Sequence, residues 1–404
     1  MINYISVEGF KSLRNFRLRL KSGLNVLIGP NGAGKSNICQ ALSMISSIAE
    51  DNLADYIISL GGIGSIFSKS CNEENISDKT KRIEVKCKGE TVDRKISLKY
   101  FYKFTLELKK RLIIKNELIK IYTLDSKNKY VLVIKARRIG KKMRLEIVKP
   151  KLAGALSEAT KGKEPIRSEI PRSDLESIIP LLPIFSLYCH LVRNDIRFAK
   201  AWNIDPHLAK KSSDLLESNI MLQDGRHLSN TLYALKDRKP RTMEDLGEIM
   251  SYILPSFKKV NVETSKENLT RSFSITDVNG IKYPASCLSD GTVKALALII
   301  GVTRQRYNTS IIEEPENYLH PWAAQSLIEF FREYFTDGAC IMTTHSETVL
   351  NSLKPKEIVV IENIEGTTKA KRIAKDANLA KAIKNSGFGP GYHYVAGSIG
   401  GVPY

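Results

Sequence analysis

The stretch Gly29-Pro30-Asn31-Gly32-Ala33-Gly34-Lys35-Ser36 constrains this chain more than any other. It fits the spacing G-x-x-x-x-G-K-[S/T] without a mismatch. An apolar run, 24–28, precedes it and an apolar-periodic stretch, 37–48, follows it, so it reads as the turn between a strand and a helix. Glycines there let successive backbone N–H groups turn toward one point, and the start of the helix adds its dipole. Such a turn receives phosphate. Lys35 is expected to reach the β- and γ-phosphates of ATP and Ser36 to ligate Mg²⁺, with Asn31, Gly32, Ala33, Gly34 and Asn37 around them. Lys35 is also expected to stand exposed on the loop, so that its loss opens no cavity in the core.

A phosphate site of this kind needs a second strand that ends in an acid for Mg²⁺, with a base beside it for the attacking water. Residues 309–321, TSIIEEPENYLHP, offer one: Ser310-Ile311-Ile312 run straight into Glu313 and Glu314, and a third carboxylate, Glu316, follows Pro315. Glu313 reads as the metal-side acid and Glu314 as the general base. On this segment alone, an edge strand running out into water would look the same.

The chain has 404 residues, 42% of them hydrophobic, enough to bury a substantial core. Glu8 and Lys11 break any apolar run near Met1, and the longest apolar stretch, 178–192, contains Pro180 and Pro183. Neither a leader nor a membrane span is therefore expected. Cysteines 39, 71, 87, 189, 287 and 340 are scattered without a CxxC pair, which points to a reducing, cytoplasmic setting. The net charge is +19, and +17 of it falls in residues 79–151, with 24 Lys and Arg against 7 Asp and Glu. That segment alternates with period two: Ile96, Leu98, Tyr100, Tyr102, Phe104, Leu106 and Leu108 form one face, and Lys99, Lys103 and Lys109 the other. It reads as an antiparallel sheet over 80–150. Its wet face has three open readings: double-stranded DNA, an acidic protein partner, or solvent alone.

Elsewhere, 1–28 reads as two short strands and GGIGSIF, 61–67, as a glycine-rich loop. Residues 151–170 read as a polar loop, and helical spacing dominates from 173 to about 250. Strands return near 260–262 and 272–275, followed by a helix near 323–335 and the strands ACIMTTH and EIVVIE. Ser289 precedes an apolar helix and is a natural N-cap.

With these motifs in place, the chain resembles the SMC/RecF-type branch of ABC ATPases, and within it the short bacterial ATPases of the overcoming-lysogenization-defect and Septu kind. The resemblance covers about 1–70 and 220–404. YISVEGFKSLRNFRL resembles the family's first hairpin, which implies that Lys11 and Ser12 lie near the nucleotide. CLSDGTVKALALI resembles the signature region, with Ser289-Asp290-Gly291 where Ser-Gly-Gly is usual. EEPENYLHP resembles Walker B and D-loop, with Glu313 for Asp; that side chain is one methylene longer, and its contact with Mg²⁺ is expected to run through water. TTHS resembles the switch segment and makes His345 the switch histidine. DGRHLSNTLYAL and GSIGGVPY are also family-like, without assigned chemistry.

The implied fold class is α/β: an ABC-type P-loop ATPase with a central, mostly parallel sheet, an antiparallel β subdomain and a helical subdomain. The expected parts are a P-loop part, 1–78, the basic β subdomain, 79–150, a helical subdomain, 151–250, and 251–404 with signature, Walker B and switch histidine. A signature and a P-loop in one chain imply a head-to-tail ATP sandwich, a homodimer or higher even-numbered oligomer. Gln40, Gln223, Gln305 and Gln325 do not supply a Q-loop, so hydrolysis is expected to be slow or gated. The stretch after His345 is expected to be too short for an appended nuclease, which makes any nuclease or other effector a separate polypeptide. Two functions fit the resemblance: an ATPase that gates such an effector in anti-phage defence, and a RecF-like repair ATPase that cuts nothing. A transporter subunit fits poorly with the basic sheet and altered signature, and a scaffold with a dead site fits poorly with Lys35 and Glu314.

Overall fold

The computed structural model describes residues 1–68, 81–93, 96–149, 166–197, 199, 201–303, 308–373, 385 and 387–398; the polar stretch 151–165 and most of the closing GSIGGVPY motif lie outside them. Six strands form the central sheet, in the order β10 (Ala201–Trp202), β15 (Thr309–Glu313), β16 (Ala339–Thr343), β3 (Gly23–Ile28), β17 (Ile358–Ile364) and β18 (Thr367–Arg372). The first five are parallel and β18 returns antiparallel. Strands buried on both faces need apolar residues at consecutive positions, which explains why their sequences do not alternate. Leu27, Ile311, Ile341, Val359 and Ile361 face one core. Val26, Ile28, Ile312, Met342 and Val360 face a second one. Register sets the rest: Glu313 lies opposite Thr343, and Thr343 opposite Leu27. Three strands from distant parts of the chain thus end level at their carboxyl edge, where ligands of open parallel sheets bind.

The first core is closed by α1 (Lys35–Ala49) and α4 (Leu187–Arg197), packed beneath an eight-stranded antiparallel sheet. Its order is β2 (Phe16–Arg19), β1 (Ile2–Glu8), β4 (Lys81–Asp93), β5 (Ile96–Leu108), β6 (Leu112–Leu124), β7 (Tyr130–Ile139), β8 (Lys142–Ile147) and β9 (Ile166–Pro171). The expected basic sheet is there, and it is wider than the basic segment: its last strand takes 166–170, which were expected as the end of the polar loop 151–170. Recruiting β1 and β2 covers the long edge of β4, which would otherwise offer a row of unpaired peptide groups. Tyr100, Tyr102, Phe104, Ile119, Ile121 and Ile134 are buried on its inner face.

The second core is covered by α8 (Asp290–Thr303) and α9 (Pro321–Tyr334), by α6 (Leu228–Arg238) and α7 (Pro240–Ile253), and by a small sheet of β11 (Ser213–Asp214), β12 (Phe257–Ser265), β13 (Thr270–Asp277) and β14 (Lys282–Pro284). Short helices complete the chain: α2 (Leu53–Ser59), α3 (Ile63–Ile66), α5 (Pro206–Ala209), α10 (Glu347–Asn351) and α11 (Pro390–Val395). The GGIGSIF stretch, expected as a loop, winds the single turn of α3 before Phe67 bridges Phe10. Helical spacing across 173–250 also concealed β10 and β11, each two residues long and too short to show a period. Among the described residues no helix is long and apolar enough to cross a membrane.

Candidate nucleotide site

The loop after β3 is held from above by the β17–β18 hairpin. Gly34 has φ 102°, and a Cβ there would sit 2.0 Å from the Thr368 hydroxyl, so only glycine fits. A directed chain of hydrogen bonds ties this turn down. The Asn37 amide donates to Ser12 Oγ (2.7 Å), Ser12 and Thr368 share a bond of 2.6 Å, and Thr368 donates to the Ala33 carbonyl (2.9 Å). Lys11 Nζ donates to Gln40 on α1 (2.7 Å). Thr368 was silent in the sequence, because nothing in a lone threonine on a strand marks it as a neighbour of a distant loop.

Lys35 departs from expectation. It is 6% exposed, and its Nζ donates to the loop's own Gly29 and Pro30 carbonyls, at 2.8 and 3.0 Å. Burial lowers its pKa to about 8, against the pull of Glu314. Residue 35 is the first of a helix whose side chains point back toward the loop, which is why the lysine folds under rather than outward.

Glu313, at the end of β15, accepts a hydrogen bond from Ser36. Burial raises its pKa; the Ser36 bond works against that shift and the Glu314 charge adds to it. Two hard oxygen ligands in contact, a hydroxyl and a carboxylate, suit Mg²⁺, which takes few protein ligands and completes its shell with phosphate and water. Glu314 then leaves the strand with φ 44°, left-handed for a non-glycine residue. Its N–H donates to the Thr343 carbonyl (3.1 Å) and hydroxyl (3.2 Å), and its carbonyl accepts from Lys294 Nζ (2.7 Å). The carboxylate accepts from Asn317 (2.6 Å) and remains accessible. His345 is exposed just past β16; partial burial and the nearby Lys35 charge lower its pKa, and Glu314 opposes them.

Two more site residues carry weight. Glu316 accepts from the Thr344 hydroxyl (2.5 Å) and the His345 N–H (3.4 Å), and burial raises its pKa. Lys294, 2% exposed, is the one basic residue of α8 and stands among apolar neighbours, and that charge in an apolar run was the signal that could have found it. Burial lowers its pKa to about 8, although Glu316 and Glu314 pull it up. Gly291 packs on the same turn: a Cβ would lie 2.4 Å from the Tyr318 carbonyl oxygen. Ser289 caps α8 by accepting the Thr292 N–H (3.1 Å) and Asp290 pairs with Lys210, so the bonded partners of Ser289 and Asp290 are not in the P-loop.

The basic sheet presents its charge in two transverse rows. Cross-strand register aligns Arg17, Lys86, Lys103, Arg137 and Arg144 in one, and Arg19, Lys88, Lys120 and Lys135 in the other. At about 4.8 Å per strand the first row spans roughly 29 Å and the second roughly 24 Å. Lys99 and Lys103 share the outer face as expected, whereas Lys109 lies in the turn past β5. All three are paired, with Glu90 (3.2 Å), Glu84 (2.9 Å) and Glu107 (3.1 Å). Lys120, Lys135 and Arg137 have no ion pair among the described residues; with Lys103 they line a cleft of about 580 Å³.

Residues 1–350 match the family model described as the AAA ATPase domain. The chain belongs to that family. Its fold is that of SMC heads. It aligns with an SMC head bound to the C-terminal winged-helix domain of ScpA (TM-score 0.50, 13% identity, 93% of this chain and 99% of that one). It also aligns with the SMC head from Pyrococcus furiosus bound to the C-terminal domain of ScpA (TM-score 0.51, 11% identity, 95% and 99%). A curated relative, the probable ATPase of retron Ec83 from Escherichia coli, is 25% identical over 147 residues, 33% of this chain and 26% of that protein. The match therefore spans about a quarter of the relative's length. The family match and the SMC-head fold both agree with the resemblance to SMC/RecF-type ABC ATPases carried by the motifs.

Proposed function

We propose that this protein binds and hydrolyses ATP between two protomers, holds double-stranded DNA on its basic sheet, and gates a separate effector, a nuclease by resemblance, in bacterial anti-phage defence. The observation that carries the ATPase reading is the convergence of Lys35, Ser36, Glu313, Glu314 and His345, from three strand ends, at one edge of the central sheet. In this reading Lys35 leaves the Gly29 and Pro30 carbonyls for the phosphates, and Ser36 and Glu313 hold Mg²⁺, which neutralises phosphate charge. Glu314 takes the proton of the attacking water and His345 contacts the terminal phosphate. Asn31 to Asn37 and Ser12 line the nucleotide, while Ser289, Asp290 and Gly291 meet the nucleotide of the partner. Gln40 is occupied by Lys11 and supplies no Q-loop, which supports slow, gated turnover.

The defence reading rests on resemblance to the overcoming-lysogenization-defect and Septu ATPases and on similarity to a retron's probable ATPase. Partner binding has a parallel in the SMC heads bound to ScpA. The DNA reading rests on the two basic rows, the longer of which spans roughly 29 Å, close to one duplex turn of about 34 Å.

Glu314→Gln tests the core of the proposal. It keeps size and polarity and cannot accept the proton, so hydrolysis should fall ~10²–10⁴-fold while Mg²⁺-ATP still binds and the ATP-bound dimer accumulates. Normal hydrolysis by this variant, with Glu313→Gln dead, would reverse the two roles.

A further inference from the structure

Asp290 is the residue that departs from the expected signature, and its position is awkward. It begins α8, whose free N–H groups and dipole attract anions, and it adds a negative charge to that same edge. A carboxylate facing the phosphates of a partner's nucleotide repels what the helix end attracts. Asp290 is not bare: Lys210 Nζ lies 2.6 Å from its Oδ1, with side chains 17% and 30% exposed. His207 also lies close enough to favour the ionised carboxylate.

The segment that carries Lys210 is held in place. Asp205 caps α5 by accepting the N–H groups of His207 (2.8 Å) and Leu208 (3.4 Å). The Asn203 and Asp205 N–H groups donate to the carbonyls of Gln223 (3.1 Å) and Asp224 (3.0 Å). Gly225, φ 93°, packs against Ala209 so tightly that a Cβ would lie 2.9 Å from the alanine methyl. The first residues of the family-like DGRHLSNT stretch therefore position the lysine that meets the unusual aspartate.

We propose that Lys210 is a positioning residue of the signature, which neutralises Asp290 so that the N-terminal edge of α8, with Ser289, accepts the terminal phosphate of a nucleotide held by the partner protomer. This rests on the two-protomer reading of the site.

The test is dimerisation driven by Mg²⁺ and a non-hydrolysable ATP analogue, followed by light scattering, with analogue binding to the monomer measured alongside. Lys210→Ala should bind the analogue normally as a monomer and need about tenfold or more analogue to dimerise, since like charges across an interface are strongly penalised. The deficit should shrink as salt rises from roughly 50 to 500 mM, because the repulsion is screened. Lys210→Arg should stay within about threefold of wild type, and so should the double variant Asp290→Gly/Lys210→Ala, which has no charge left to mask. A Lys210→Ala protein that dimerises as wild type overturns the proposal. So does a deficit indifferent to salt, or a double variant as weak as Lys210→Ala. If Lys210→Ala fails to fold, the arginine and double variants decide. Ser289→Arg separates the two readings. If it blocks dimerisation while Lys210→Ala does not, only the Lys210 proposal falls. If wild type never dimerises with the analogue, or Ser289→Arg does, the shared site falls and the Lys210 proposal with it.

Discussion

Lys35 is a buried ammonium whose two carbonyl partners compete with the phosphates it is proposed to bind. Its pKa, lowered to about 8 by burial, has a measurable consequence. Below that pH the free protein already carries the charge. Above it the lysine is neutral, and phosphate binding must draw a proton from solution. ATP's phosphates are ionised throughout this range. The association constant for Mg²⁺-ATP should therefore be flat from about pH 6.5 to 7.5 and fall above about pH 8, approaching one log unit per pH unit. Lys294 also has its pKa lowered to about 8, but it grips a backbone carbonyl, so Lys294→Met should retain the slope. Isothermal titration calorimetry across this range measures both proteins. An affinity that does not change up to about pH 9.5 would mean that Lys35 never loses its proton or never meets phosphate.

At the scale of elements, the contact that matters is between α8 and the turn after β15. That turn holds two left-handed non-glycine residues, Glu314 at φ 44° and Tyr318 at φ 71°, and such conformations persist only when neighbours enforce them. α8 enforces both: Lys294 holds the Glu314 carbonyl and Gly291 lies flat against the Tyr318 carbonyl. The helix that begins with the signature thus sets the backbone that carries the proposed base. Gly291→Ala places a methyl 2.4 Å from a backbone oxygen, so the helix or the turn must shift. It should cost about 1–3 kcal/mol of stability, as overpacking does, measured by urea unfolding. It should also slow hydrolysis more than it weakens ATP binding. An alanine variant with wild-type stability and turnover would show that this contact does not hold the turn.

At the scale of the whole molecule, the basic sheet and the nucleotide edge are built on one shared core, since β1 joins the basic sheet while β3, two strands later in the chain, carries the P-loop. The sequence pointed to Lys99, Lys103 and Lys109 as the DNA face. Each is paired with a glutamate of the same sheet, whereas Lys120, Lys135 and Arg137 have no ion pair among the described residues and line one cleft. Reversing these three to Glu should weaken duplex DNA binding much more than reversing the first three. If about 5 side chains meet phosphates, log K should fall with log[salt] with a slope near −4 to −5, and the variant's slope should be flatter by roughly 3. Fluorescence anisotropy with and without a non-hydrolysable ATP analogue measures this, with ATP binding as the control. Binding that ignores salt would instead mark the sheet as a docking face for an acidic protein.

Some of this was written in local sequence. The P-loop was legible because its glycines meet backbone demands that no other residue meets, and the strand ending in Glu313 and Glu314 because apolar runs and adjacent acids need no partner to be seen. The cap at Ser289 and the period-two inner face of the basic sheet were legible for the same reason: helix ends and pleats impose their pattern residue by residue. What depended on register and packing was not. Nothing local says that β3, β15 and β16 end level, that Thr368 hangs over Gly34, or that β1, β2 and β9 extend the basic sheet. The burial of Lys35, the pairing of Asp290 with Lys210 and the ion pairs of Lys99, Lys103 and Lys109 are likewise decided by which side chains tertiary folding brings within a few ångströms of each other. Local sequence fixes a side chain's type and the pitch of its backbone; the charge it meets belongs to a neighbour far along the chain.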